Sequence, residues 1–178
     1  MIFTPTVLQG VFIIEQERSE DERGYFARTW CLREFKACGL NHRLAQCSTS
    51  LSRKQGTLRG MHYQTAPHME DKLVRCIRGS VYDVVVDLRP DSPTYCRWTA
   101  AELTEESGKM VYVPAGCAHG FITLRDNTEV FYQISEFYTP AAVRGVRWND
   151  PAFGIHWPVE ITVISERDRS YPDFNVEQ

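Results

Sequence analysis

Two histidines occupy the most strongly patterned segments of this chain. His62 ends the run Gly56-Thr-Leu-Arg-Gly-Met-His62 and is followed by Tyr63-Gln64; His119 ends Pro114-Ala-Gly-Cys-Ala-His119, with five residues between Gly108 and the proline. Imidazole offers metal ligation or proton transfer at neutral pH. Two histidines alone make a poor site for zinc, iron or manganese, which need further imidazole or carboxylate ligands. His68 and Glu70 are the residues that could complete such a shell. Asp83 interrupts the apolar run Val81-Tyr-Asp-Val-Val-Val86, and a carboxylate buried there needs a partner. The six cysteines (Cys31, Cys38, Cys47, Cys76, Cys96 and Cys117) form no C-x-x-C pair and no Cys/His cluster of zinc-like spacing. They read as reduced, packed thiols of a cytoplasmic protein.

The elements that must position these groups are strands. Val11–Ile14, Lys72–Ile77, Val81–Leu88, Met110–Val113, Phe121–Leu124 and Val130–Ser135 are apolar or alternating runs bounded by turn residues. Lys72–Ile77 and Val81–Leu88 read as a hairpin around Arg78-Gly79-Ser80, and Phe121–Leu124 with Val130–Ser135 as a further pair around Arg125-Asp126-Asn127. In the Val81–Leu88 strand, Tyr82, Val84, Val86 and Leu88 share one face; Val81, Asp83, Val85 and Asp87 share the other. One helix is expected from Trp30 to Cys38, ended by Gly39. Many short strands at close spacing predict an all-β jelly-roll barrel with a few short helices, one domain over residues 1–178. With 43% apolar and 24% charged residues, the chain has the composition of a soluble globular protein. A net charge of −3 argues against a basic nucleic-acid surface. No stretch reaches membrane-spanning length, and the N-terminus lacks the basic start of a signal peptide. The expectation is a cytoplasmic protein with neither nucleic-acid nor membrane partner.

The segment Gly108-x5-Pro114-x-Gly116-x-x-His119 resembles one cupin motif, and Gly56-x5-His62 resembles the start of the other. A metal cupin continues H-x-H with a glutamate soon after; here Gln64 stands in place of the second histidine. The resemblance implies a cupin-like double-stranded β-helix that has lost its metal and kept two histidines in its cavity. Over nearly its whole length the chain also resembles the dTDP-4-dehydrorhamnose 3,5-epimerase family. The motifs are Asp21-Glu-Arg23-Gly24-Tyr-Phe26, Gln46, Gly56-Thr-Leu-Arg59-Gly-Met-His62-Tyr-Gln64, Lys72-Leu-Val, Asp83-Val-Val-Val-Asp87-Leu-Arg89, Ser92-Pro-Thr94, Val113-Pro-Ala-Gly-Cys-Ala-His119-Gly-Phe121, Tyr132, Phe137-Tyr138, Trp148-Asn-Asp-Pro151, Trp157-Pro158 and Ile164-Ser165-x-x-Asp168.

That resemblance implies a cofactor-independent epimerase of nucleotide-linked 4-keto-6-deoxy sugars, in deoxysugar and O-antigen biosynthesis. The C–H bonds flanking the ketone are acidic. Inversion removes one such proton, passes through an enolate and reprotonates from the opposite face. By resemblance His62 is the base, Asp168 its orienting carboxylate and Tyr132 the acid on the far face, with Lys72 near the ketone oxygen. His119 and Asp83 complete the cavity; Arg59 and Arg23 hold the diphosphate; Phe26, Gln46 and Tyr138 surround the base. Without the resemblance, Tyr132 reads as sheet packing, Asp168 as a solvated turn residue, and Lys72 and Arg59 as surface charges. Strict alternation puts Arg59 and His62 on opposite strand faces, so a shared cavity requires a bulge near Gly60.

Two positions depart from the family pattern. Arg28 stands where a glutamate is usual and Ser48 where an asparagine is usual, both near the nucleotide base by resemblance. Thymidine is the first expectation, with CDP- or GDP-linked sugars and single-centre inversion as alternatives. A metal-dependent cupin isomerase or dioxygenase and a non-catalytic nucleotide-sugar-binding barrel are the readings of another class. A homodimer is expected through the uncharged N-terminal strand.

Overall fold

The computed structural model of the protein describes residues 1–175. One six-stranded sheet runs in the order β1 (Ile2–Pro5), β2 (Phe12–Glu15), β10 (Met110–Val113), β7 (Lys72–Arg78), β12 (Thr128–Ile134), β5 (Gln46–Ser52). A second runs β13 (Val143–Gly145), β6 (Thr57–Gln64), β11 (Cys117–Thr123), β8 (Ser80–Asp87), β9 (Trp98–Thr104), with β14 (Val163–Ile164) parallel to β6. β3 (Arg18–Asp21) and β4 (Gly24–Ala27) form a separate hairpin, and the α-helices are α1 (Leu32–Ala37) and α2 (Glu166–Arg169). This is the expected all-β, cupin-like jelly roll.

The period-2 reading of β8 holds on both faces. Val81 and Val85 join the core between the sheets with Leu8, Val11, Val74 and Phe121. Val84 and Val86 pack outward against Met61, Ala118, Val146 and Phe153. Because both faces are covered, β8 is apolar almost throughout, and its two carboxylates, Asp83 and Asp87, lie at 1% and 0% exposure.

The two expected hairpins do not form. β7 and β8 follow one another through Gly79 but belong to different sheets, and so do β11 and β12. β7 takes β10 and β12 as neighbours; β8 takes β9 and β11. A turn residue specifies that the chain reverses, not which strand it pairs with next. At Gly79 (φ +79°) an added Cβ would lie 2.5 Å from Thr128 Oγ1, so the turn is pressed against the start of β12 and the chain crosses to the opposite sheet. The helix starts at Leu32, later than the expected Trp30, and stops before Gly39 as expected. The N-terminal strand, expected to enter a partner's sheet, is the outermost strand here and pairs with β2 of its own chain.

Part of the motif pattern is structural. Asp87 accepts from Arg89 Nε at 2.8 Å, Ser92 Oγ at 2.5 Å and Thr94 Oγ1 at 2.6 Å, which ties down the loop after β8. Burial pushes this carboxyl up, but those hydrogen bonds outweigh it and bring it down to about 2. The folded-state value lies below the unfolded one, so the stabilisation is present above pH ~4 and is lost as pH falls toward 2. Asp87→Asn is expected to cost on the order of 2 kcal/mol at pH 7. The gap from the parent protein should close on acidification, as read from urea unfolding across that range.

Candidate active site

The site lies between the two sheets, and the pairing of β6 with β11 builds half of it. His119 pairs with His62 and Phe121 with Arg59, the register shifting between them. His119 and Phe121 are two apart on β11 and point the same way. Their partners must do so too, although Arg59 and His62 are three apart on β6. The extra residue is absorbed as the expected bulge, at Gly60 (φ +130°). A side chain at Gly60 would lie 2.5 Å from Gly120 Cα, so the strands cross where only glycine fits on either side.

Two carboxylate–histidine pairs follow. His62 Nε2 lies 2.6 Å from Asp168 Oδ1, and Asp168 Oδ2 accepts the Gly60 N–H at 3.3 Å. α2 presents Asp168, whose own N–H is capped by Ser165 Oγ at 3.1 Å. Burial pushes the Asp168 carboxyl up; hydrogen bonding to His62, the charge of that ring and the Gly60 N–H outweigh it and hold it below the usual carboxylate range. His119 Nε2 lies 2.8 Å from Asp83 Oδ2, the partner that the buried strand position required. Exposure separates the pairs: the side chains of His62 and Asp168 are 34% and 6% exposed, those of His119 and Asp83 5% and 0%. The first imidazole is open to a substrate, whereas the second is closed.

The facing sheet supplies the other wall. In the β5–β12–β7 ladder Tyr132 pairs with Ser48 and Val74, and Ile134 with Gln46 and Lys72, so these residues share the inner face. Tyr132 hydroxyl and Ser50 Oγ are 3.1 Å apart. Burial pushes the phenol up to about 12, Ser50 and Arg59 oppose that, and the Asp83 carboxylate adds to it. The phenol is therefore fully protonated at neutral pH. Its ring meets His119 edge-on, with centroids 6.4 Å apart.

His62, Tyr132, Asp168, Lys72, Ser48, Arg59, His119 and Tyr138 line one cavity of about 640 Å³. Arg59 is held at its rim by Ser52 Oγ and the Leu51 carbonyl, both at 3.1 Å. Gln46 supports the wall by accepting the Tyr138 N–H, and Asp83 acts from behind His119. Arg23, Phe26 and Arg28 are not brought to this cavity by their own chain. Arg23 pairs with Asp21 on the β3–β4 hairpin, Arg28 pairs with Glu34 at 3.0 Å, and Phe26 is 76% exposed. Sequence reasoning missed Ser50, Arg167 and Tyr171. Ser50 was legible as one of the alternating serines of β5. Arg167 lines the cavity and donates to Tyr171 hydroxyl at 2.9 Å, and the Tyr171 ring packs on His62 at 6.2 Å.

Among the described residues, the side chains that could complete a metal shell have other partners. Gln64 Nε2 donates to the carbonyls of His68 and Phe137, and its Oε1 accepts the Thr139 N–H, so it clamps the loop carrying Tyr138. Glu70 is ion-paired with Lys72, and each cavity histidine with its own aspartate. No group of three or more His, Cys, Asp or Glu gathers as a metal site among the described residues.

A jelly-roll cavity with a partly exposed, carboxylate-paired histidine on one wall and a half-buried phenol on the other has the form of an enzyme site with proton-transfer groups on two sides. The family model described as dTDP-4-dehydrorhamnose 3,5-epimerase matches residues 5–176. The dTDP-4-dehydrorhamnose 3,5-epimerase of Sinorhizobium fredii is 43% identical over 97% of this chain and 89% of its own length. The crystal structure of that enzyme from Elizabethkingia anophelis superposes with a TM-score of 0.95 at 37% identity, covering 98% of this chain and 96% of that one. The Bacillus anthracis enzyme, solved with TDP and PPi bound, has a TM-score of 0.93 at 35% identity, covering 97% and 99%. The chain belongs to the dTDP-4-dehydrorhamnose 3,5-epimerase family.

Proposed function

We propose that this epimerase acts on a dTDP-linked 4-keto-6-deoxyglucose and inverts both carbons flanking the ketone, C3 and C5. The observation that carries the reading is the open His62–Asp168 pair and Tyr132 lining one cavity. In each half-reaction His62 takes the C–H proton, and the electron pair of that bond moves onto the ketone oxygen as the enolate. Asp168 stabilises the resulting imidazolium. Lys72 donates to the enolate oxygen. Tyr132 then protonates carbon from the opposite face, and proton exchange with solvent resets both groups.

Arg59 and Arg23 hold the diphosphate, while Phe26, Arg28, Gln46, Ser48 and Tyr138 surround the base. This reading makes the enzyme a homodimer in which each β3–β4 hairpin reaches the partner's cavity. The exposure of Phe26 and Tyr25 in the single chain supports it. Residues 1–178 act as one catalytic domain, without a cofactor. The absence of paired cysteines among the described residues suits the reducing cytoplasm. The TDP bound by the Bacillus anthracis relative supports the thymidine nucleotide.

The test is deuterium incorporation from D2O, followed by NMR, into dTDP-, CDP- and GDP-linked 4-keto-6-deoxyglucose, with elemental analysis of the enzyme. The dTDP sugar is expected to take up deuterium at C3 and C5 with inversion. Label at one centre alone would replace this reading with the single-centre one. Preference for CDP or GDP would replace the nucleotide. A stoichiometric transition metal, or no exchange with any substrate, would overturn the mechanism.

A further inference from the structure

Lys72 is not a free cation in the cavity. Its Nζ lies 2.9 Å from Glu70 Oε1 and donates to the His62 main-chain carbonyl at 3.3 Å. The side chains of Lys72 and Glu70 are 11% and 9% exposed, and both line the cavity beside His62 and Tyr132. A carboxylate here carries an electrostatic penalty. It is removed from water, and under the proposed function it shares the cavity with a diphosphate of the same sign. Affinity for the substrate would be served better by the lysine alone, so the acid must do something other than bind.

The chemistry of lysine indicates what. An ammonium is a point charge on a long flexible stem with three N–H donors. Unrestrained, it would turn toward the strongest anion in the cavity, the diphosphate, and leave the ketone. The His62 carbonyl ties Nζ to the strand that carries the base, and Glu70, just ahead of β7, holds it from its own side, so these two contacts engage two of its three N–H donors. We infer that Glu70 is a positioning residue that holds the Lys72 ammonium at the sugar end of the cavity, beside His62 and away from the diphosphate. The inference rests on the role of Lys72 under Proposed function.

The test is steady-state kinetics of Glu70→Ala, Glu70→Gln, Lys72→Ala and the double variant Glu70→Ala/Lys72→Ala, with melting temperatures. Glu70→Ala is expected to lower kcat about 10- to 100-fold with KM unchanged or lower, since the released ammonium can join the diphosphate. Glu70→Gln keeps an acceptor for Nζ and should recover most of kcat. In the Lys72→Ala background, Glu70→Ala should cost nothing further. A kcat for Glu70→Ala within twofold of the parent, or an equal loss from it with and without Lys72, overturns the inference. Loss of melting temperature in both Glu70 variants with kcat unchanged also overturns it. Full activity in Lys72→Ala would instead overturn the role of Lys72 itself, an outcome distinct from a silent Glu70.

Discussion

His62→Ala is expected to abolish deuterium uptake from solvent and to lower kcat about 1,000-fold, roughly 4 kcal/mol in the barrier. Every proton leaving the sugar must pass to a group that is basic at neutral pH and open to the cavity. Of the two histidines lining the cavity, His62 is the accessible one, its side chain 34% exposed against 5% for His119, which is held by Asp83. Removing the ring also strips Asp168 of the partner that holds its carboxyl down. The buried carboxylate is then left with the Gly60 N–H and the Ser165 side chain, so some loss of melting temperature should accompany the loss of rate. Measuring exchange on folded protein separates the two effects. Exchange at parental rate would move the base elsewhere in the cavity.

Tyr132→Phe should separate exchange from inversion. The substitution keeps the ring packed against His119 and removes only the hydroxyl that meets Ser50. His62 can still take the proton and, after exchanging it with solvent, return a deuteron to the same face. The expected product is substrate labelled with retained configuration, with inversion reduced about 100- to 1,000-fold. The phenol is suited to the step it loses. At about 12 it stays protonated through neutral pH, and an enolate carbon is basic enough to take its proton. A variant that inverts both centres at full rate would return Tyr132 to the status of core aromatic.

Much of this site was legible because it is carried by local pattern. The spacing before His62 and His119 singled out both histidines, and the apolar run around Asp83 showed that its carboxylate, if buried, needed the partner it has. Alternation also showed that Arg59 and His62 could share a cavity only through a bulge, and Gly60 supplies one. Glu70 was legible only as a spare metal ligand, because sequence distance from His62 says nothing of its proximity to Lys72 Nζ. Arg23, Phe26 and Arg28 were legible as motif residues, yet their own chain leaves them on a hairpin and a loop away from the cavity.

The amino-acid sequence by itself determined the class of fold, the strand faces and the two histidines on which a site could be built, while the roles of acid, base and supports came from the family resemblance. The fold class and the faces follow from period-2 alternation and turn residues, which are short-range properties of a chain. Only the tertiary structure decided which strands became neighbours, that the Gly79 and Asn127 turns cross between sheets, and that Asp168 meets His62 from 106 residues away. The physical reason is that strand pairing and side-chain contact are settled by burial of whole faces across the barrel. A local turn can dictate a change of direction, but the partner is chosen by whichever sheet leaves the least apolar surface in water.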